Sequence, residues 1–159
     1  MISDYKLTGE VVYLTGAAGQ LGKQISKELI LQGAKVIMVD KSMELLSSAI
    51  HGMNYKSDDY LLVEADITNE YNVRQSMQDA LSYFGKISMQ VNNAGASVFT
   101  PWFERSSAEI SLTMDVNLKG TLFCIREFLE LAKASATKTV IVNVASHYGL
   151  ISPDPRMYK

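Results

Sequence analysis

Short runs of apolar and β-branched residues alternate along the chain with longer stretches whose apolar positions recur every three or four residues. Val11 to Thr15 is such a run, ends in glycines, and reads as a buried strand. Gln20 to Gln32 follows with helical spacing: Leu21, Ile25 and Leu29 fall on one face, and Gly33 stands just past the end as a stop. Lys35 to Val39 is a second strand, Ser42 to Ile50 a second helix closed by Gly52, and Tyr60 to Glu64 a third strand. Asn69 to Phe84 carries an apolar stripe of Val73, Met77, Ala80, Leu81 and Phe84, with Thr68 placed to cap its start and Gly85 to end it.

The second half repeats the alternation. Ile87 to Val91 reads as a fourth strand, and Ser106 with Glu109 has the spacing of a capping box that opens a helix. Val116 to Ala134 reads as a long helix with Gly120, Phe123, Glu127 and Leu131 at helical spacing. Thr139 to Val144 is a fifth strand, apolar on both faces apart from Asn143, as expected of a parallel strand covered on both sides. This order predicts a doubly wound parallel α/β sheet in a single domain spanning residues 1–159. A sixth strand is expected beside the fifth, but Ile151 to Lys159 reads as a proline-bearing loop. The expectation is therefore an N-terminal portion of a longer domain, cut before its sixth strand.

Composition narrows the function classes. The chain has 159 residues, 47% hydrophobic and 20% charged, with a net charge of -2 and no basic run, so nothing draws it to nucleic acid or an anionic membrane. Met1 to Leu7 is mixed and polar, unlike a signal peptide, and no apolar stretch approaches the length of a membrane span. Cys124 is the single cysteine and lies in an apolar helical run. It reads as a core residue, and a cytoplasmic location is the default. His51 and His147 have no partners at metal-ligand spacing, so no metal is expected.

The chemistry begins at Thr15-Gly16-Ala17-Ala18-Gly19-Gln20-Leu21-Gly22, between the first strand and the first helix. Glycines there permit a tight turn and close approach of a pyrophosphate, and the helix start offers free N–H groups and a positive dipole end. Asp40 ends the second strand; a carboxylate there accepts the ribose hydroxyls of an adenosine and repels a 2′-phosphate, which favours NAD over NADP, although Lys41 is adjacent. Asp66 and Ile67 follow the third strand and suit the adenine amino group and ring, while a helix-capping role for Asp66 fits equally well. Asn92-Asn93-Ala94-Gly95 follows the fourth strand, with small residues where backbone can approach a ligand and amides that can tie strands together.

Taken with Asn117 in Asp-Val-Asn-Leu-Lys-Gly-Thr and Ser146 after the fifth strand, these motifs resemble, in order and over essentially the whole chain, the short-chain dehydrogenase/reductase family, whose domain is Rossmann-type. The resemblance implies that Gly16, Gln20, Leu21, Gly22, Asp40, Asp66, Ile67, Asn93, Ala94 and Gly95 line a nicotinamide cofactor. It implies that Ser146 hydrogen-bonds the substrate oxygen and that Asn117 kinks its helix and holds a water of a proton relay. The implied activity is NAD-dependent hydride transfer at a carbonyl or alcohol carbon of a small molecule, in a homodimer or homotetramer associating through the helix from Val116, where Phe123, Phe128 and Leu131 offer apolar area.

Two features depart from the pattern. The spacing of Gly16, Gly19 and Gly22 resembles the sugar-nucleotide branch of the superfamily. Together with Ser146 to Asp154 it resembles dehydrogenases of bacterial surface-sugar and flagellin-glycan pathways, so a sugar or sugar derivative is among the implied substrates. The family's Tyr-x-x-x-Lys acid/base pair is absent from these residues. Tyr158 lies near the usual distance from Ser146, but Lys159 is adjacent rather than four residues on, and Pro153 and Pro155 oppose a helix there. This chain alone is therefore expected to be inactive. Two other readings stay open: a non-catalytic dinucleotide-binding sensor or scaffold, favoured by the missing pair, and a sugar-nucleotide epimerase or dehydratase, favoured by the glycine spacing and opposed by Asn92 to Gly95.

Overall fold

The computed structural model of the chain describes residues 6–52, 55–135 and 138–150. Five strands, β1 (Val11–Thr15), β2 (Lys35–Asp40), β3 (Tyr60–Glu64), β4 (Met89–Asn92) and β5 (Val140–Asn143), pair in parallel in the order β3-β2-β1-β4-β5. The crossovers are α1 (Gln20–Leu31), α2 (Met43–Ile50), α3 (Glu70–Phe84) and a long helical run made of α4 (Ser107–Met114), a π-helical stretch (Asp115–Gly120) and α5 (Thr121–Ser135). The doubly wound sheet read from the alternation is the fold observed.

Strand alternation sends side chains to two cores. Val12, Leu14, Val36, Met38 and Val91 face α1 and α2 and close over Leu46 and Ala49. Val11, Tyr13, Ile37 and Val39 face α3 and α5 and pack on Val73, Met77, Ala80, Cys124 and Phe128. The Tyr13 hydroxyl shares a 2.6 Å hydrogen bond with Ser76 Oγ, which makes a fully buried phenol tolerable. Cys124 is the core residue expected, and burial pushes its thiol up to about 12. On the rim of this second core Arg74 grips Glu127 with two hydrogen bonds, of 3.0 and 3.1 Å, and so ties α3 to α5.

Several elements differ from the sequence expectation. Asn69 caps α3, accepting from Tyr71 N and Asn72 N, while Thr68 donates from both N and Oγ1 to Asp66 Oδ1. Ser106 and Glu109 form the capping box at the start of α4, but the helix they open does not stop before Val116: it runs on through the π stretch into α5. Leu21 is 53% exposed, because the first turn of α1 projects past the strand ends instead of lying on the sheet. β5 lies at the edge of the described sheet and pairs only with β4; Ile141 packs on the core, whereas Val140, Val142 and Val144 are exposed. Phe128 is fully buried, and Phe123 and Leu131 are partly buried against the same core; the large apolar residues that α5 and the π stretch expose are Leu118, Leu122 and Leu129.

Two outcomes follow. Phe128→Ala should lower the unfolding free energy by about 3–5 kcal/mol in urea denaturation, because it leaves a cavity under α5, whereas Leu129→Ala on the exposed face should stay within about 0.5 kcal/mol of the parent. Glu109 is held down at about 2 by hydrogen bonds from the Thr100 hydroxyl and from Ser106 N and Oγ. Its stabilising contribution is therefore present above the ordinary carboxylate pKa and is lost as pH falls toward 2. The stability difference between the parent and Glu109→Gln should be constant near neutrality and shrink steadily below about pH 4.3; a difference that stays constant to pH 2 would contradict the capping-box assignment.

Candidate functional site

The carboxyl ends of the strands open onto a cleft of about 940 Å³. It straddles the point where the strand order reverses, between β1 and β4, the usual place for a ligand in an open α/β sheet. All twelve residues singled out from the sequence line it: Gly16, Gln20, Leu21, Gly22, Asp40, Asp66, Ile67, Asn93, Ala94, Gly95, Asn117 and Ser146. Tyr158 lies outside the described residues.

The turn after β1 is shaped by what cannot fit there. Gly16 has φ +64°, and a Cβ on it would sit 2.7 Å from Ala94 Cα. A Cβ on Gly22 would sit 2.1 Å from the Gly16 carbonyl oxygen, so helix α1 meets the turn only with a glycine there. Gly19 is different: its φ is -69° and a Cβ would stand 3.3 Å from Gly16 O. That conformation suits other residues too, so the glycine that distinguishes the sugar-nucleotide spacing is not demanded by the backbone. Gly19 also provides no side-chain cap, and the first turn of α1 carries no acidic residue, which leaves its opening N–H groups facing the cleft without a resident carboxylate.

Asparagines hold the turn from the other side. Asn93 Nδ2 donates to Thr15 O and Gly16 O, at 3.2 and 3.0 Å, and the backbone N–H groups of Asn93 and Ala94 both donate to the buried Thr15 Oγ1. Asn92 Nδ2 donates across to Asn143 Oδ1 on β5. The expected tying of strands by these amides is therefore observed, and Asn93 spends its amide on the turn itself. Asn117 sits in the π stretch, with Oδ1 accepting from Ala96 N at 2.8 Å and Nδ2 donating to Ala96 O at 2.9 Å. The regular helix is interrupted where it lies, and both ends of its amide are committed to the loop after β4.

The charged groups are few. Asp40 Oδ2 accepts from Ala18 N and its Oδ1 from Lys41 N, which fixes the carboxylate at the end of β2 beside the glycine turn. Asp66 spends Oδ1 on Thr68, so a helix-side hydrogen bond and a place on the cleft coexist in one residue. Ser146 Oγ accepts from Tyr148 N, leaving its hydroxyl proton to donate elsewhere. Lys41 lines the cleft beside Asp40, and so do Asn143 and a wall of Leu112, Val116 and Thr121, which carry no motif in the sequence. His147 lines it as well, beside Ser146, with its ring 4.1 Å from that of Tyr148. A smaller hollow of about 450 Å³ lies between α3 and α5, but its Arg74 and Arg126 are both paired with Glu70 and Glu127. Among the described residues no cluster of His, Cys, Asp and Glu is placed to hold a metal, and no helix is long and apolar enough to cross a membrane.

Comparison with known proteins gives this geometry a lineage. The profile described as short chain dehydrogenase matches residues 10–157. The "CLA biosynthesis dehydrogenase/reductase" of Lactiplantibacillus plantarum is 28% identical over 94% of this chain and 52% of its own length. The "Diacetyl reductase [(S)-acetoin forming]" of Staphylococcus epidermidis is 30% identical over 86% of this chain and 53% of its own length. Among solved structures, an NAD+-bound xylitol dehydrogenase superposes with a TM-score of 0.87 at 25% identity, covering 97% of this chain and 59% of that one. A Burkholderia phymatum short chain dehydrogenase/reductase in complex with NAD superposes at 0.86 with 26% identity, covering 94% and 53%. The chain thus spans somewhat more than half the length of the relatives it matches. With its sheet order, its glycine turn and a profile match over nearly every residue, the chain belongs to the short-chain dehydrogenase family.

Proposed function

We propose that this chain forms the NAD-binding part of an oxidoreductase that moves a hydride between a nicotinamide ring and a carbonyl or alcohol carbon of a small molecule. The observation that carries the reading is the convergence of the uncapped first turn of α1, the Asp40 carboxylate and Ser146 on one cleft. The names of the relatives, a diacetyl reductase and a xylitol dehydrogenase, support a small hydroxy or keto compound. A sugar or sugar derivative is the narrower reading within that class, supported by the spacing of Gly16, Gly19 and Gly22 together with residues 146–154. A sensor that binds the dinucleotide without catalysis is disfavoured by Ser146, whose hydroxyl proton is left to donate into the cleft.

The cofactor supplies or receives the hydride when bound. The residues fit it by chemistry. The N–H groups at the start of α1 suit a pyrophosphate, with Gly16 and Gly22 keeping the turn low beneath them. Asp40 suits two ribose hydroxyls and repels a 2′-phosphate; Lys41 beside it opposes this preference. Asp66 keeps Oδ2, which would accept from an adenine amino group, and Ile67 would offer the ring an apolar contact. Gln20, Leu21, Ala94 and Gly95 line the same cleft and would contact the nucleotide. Ser146 donates to the substrate oxygen, and Asn117 fixes the loop above it. The proton requires the family's Tyr-x-x-x-Lys pair, a spacing that does not occur in these 159 residues. Assembly into a homodimer or homotetramer in the cytoplasm completes the proposal, with Leu118, Leu122 and Leu129 as the contact face.

Titration with NADH and NADPH by fluorescence tests the cofactor reading, with NADH expected to bind more tightly. Asp40→Ala should weaken NADH by roughly 10–100-fold, as expected for losing a charge-assisted hydrogen bond, and narrow the gap to NADPH. Tighter binding of NADPH to the parent would overturn the assignment. In the full-length enzyme Ser146→Ala should lower kcat by about 10²–10³-fold with the NADH dissociation constant unchanged; equal losses in both would instead mean that Ser146 shapes the cofactor site.

A further inference from the structure

The corner beyond Asp40 carries two features that attract a phosphate. Lys41 lines the cleft next to Asp40, and α2 begins two residues later, with its opening N–H groups at the positive end of the helix. The glycine turn closes the other side of the Asp40 carboxylate through Ala18 N. A 2′-phosphate on a ribose held by Asp40 would therefore have to enter this corner, where a cation and a helix start would receive it.

Another carboxylate already stands there. Asp40 and Glu64 are register partners at the ends of β2 and β3, and Ala65 N donates to the Asp40 carbonyl, so the two strands stay joined to their last residues. Alternation gives the two side chains the same face: Met38 and Leu62, two residues earlier on each strand, both pack in the core under α1 and α2. Asp40 reaches the glycine turn, whereas Glu64 reaches the start of α2, where its Oε2 accepts from Met43 N at 2.8 Å. Ser42 Oγ accepts from Leu45 N, and Glu44 adds a further acid to the first turn. Lys41 thus faces the carboxylates of Asp40, Glu44 and Glu64 around one corner. The lining of the cleft reaches Asp40 and Lys41 but does not include Glu64, which stands just past the place where a ribose would end.

We propose that Glu64 is a second cofactor-specificity residue: its carboxylate is the resident anion at the start of α2 and keeps a 2′-phosphate out of the corner that Lys41 and the helix would otherwise make favourable. The inference deepens the cofactor reading above and rests on it. It divides the discrimination between two residues. Asp40 meets the ribose hydroxyls and repels the phosphate; Glu64 acts on the phosphate alone.

The test titrates NADH and NADPH against the full-length protein and its Glu64→Gln and Glu64→Asp variants, at low and at physiological salt, with the thermal midpoint read alongside. Gln keeps an oxygen for Met43 N and removes the charge, whereas Asp keeps the charge. Glu64→Gln is expected to tighten NADPH about 3–10-fold and to leave NADH within about twofold of the parent. The gain should shrink as salt rises, because the two charges meet at an exposed edge. Glu64→Asp should exclude NADPH as the parent does. Unchanged NADPH affinity in Glu64→Gln would overturn the inference while leaving the preference for NADH intact. Equal changes for both cofactors, or the same gain in Glu64→Asp, would also overturn it and make Glu64 a cap of α2 only. A parent that binds neither cofactor would count against the cofactor reading itself and take this inference with it.

Discussion

The contact between helix α1 and the turn that precedes it governs the rest of the site. The Gly16 carbonyl oxygen occupies the space that any side chain at position 22 would need. That same oxygen accepts from Gly19 N and from Asn93 Nδ2. One peptide group is thus the meeting point of the first crossover helix, the glycine turn and the loop after β4. Were α1 held farther out by even a methyl group, its N–H groups would retreat from the cleft. Asn93 would lose an acceptor, and Asp40, which reaches the turn through Ala18 N, would face a displaced partner.

The polar groups around the cleft divide their capacity between holding the protein and meeting a ligand. Asn117 commits both ends of its amide to backbone and Asn93 its Nδ2, and Thr15 receives two N–H donors with one oxygen. Asp66 and Ser146 each commit part of their capacity and retain part. Such groups have few orientations left to lose when a ligand arrives, so less entropy opposes binding. The chain's own hydrogen bonds therefore pre-organise the surface, and the sparse charge lets a few groups decide what fits.

Much of this was legible in the residues. Periodicity located all five strands and the crossover helices because each buries a face, and burial is what periodicity records. The glycine turn, Asp40 and the Asn92–Gly95 run were legible because close backbone approach admits few residue types. What escaped was decided by competition among near-equivalents or by depth in the fold. Thr68 and Asn69 are both competent caps, and only the neighbouring Asp66 carboxylate, which engages Thr68, settles which one serves. Leu21 fits an apolar stripe by spacing, but its turn overhangs the sheet. Val140, Val142 and Val144 read as covered because a parallel strand's sequence records the company it is built for, not the face it shows in these residues.

The π-helical stretch from Asp115 to Gly120 has a consequence for how this helix can vary. A π turn amounts to one residue inserted into a regular helix, and each residue advances the helical phase by about 100°. The wider π turn absorbs that residue, so α5 stays in phase with the sheet although the extra residue is present. Were the stretch to tighten to ordinary α-helical turns with its residue count unchanged, α5 would rotate by about 100°, carrying Cys124 and Phe128 away from the sheet and Leu122 and Leu129 toward it. Gly120, whose Cβ position is taken up by Ile67, would leave its seat at the same time. It is the width of this one turn that keeps the buried face of the following helix pointed at the core.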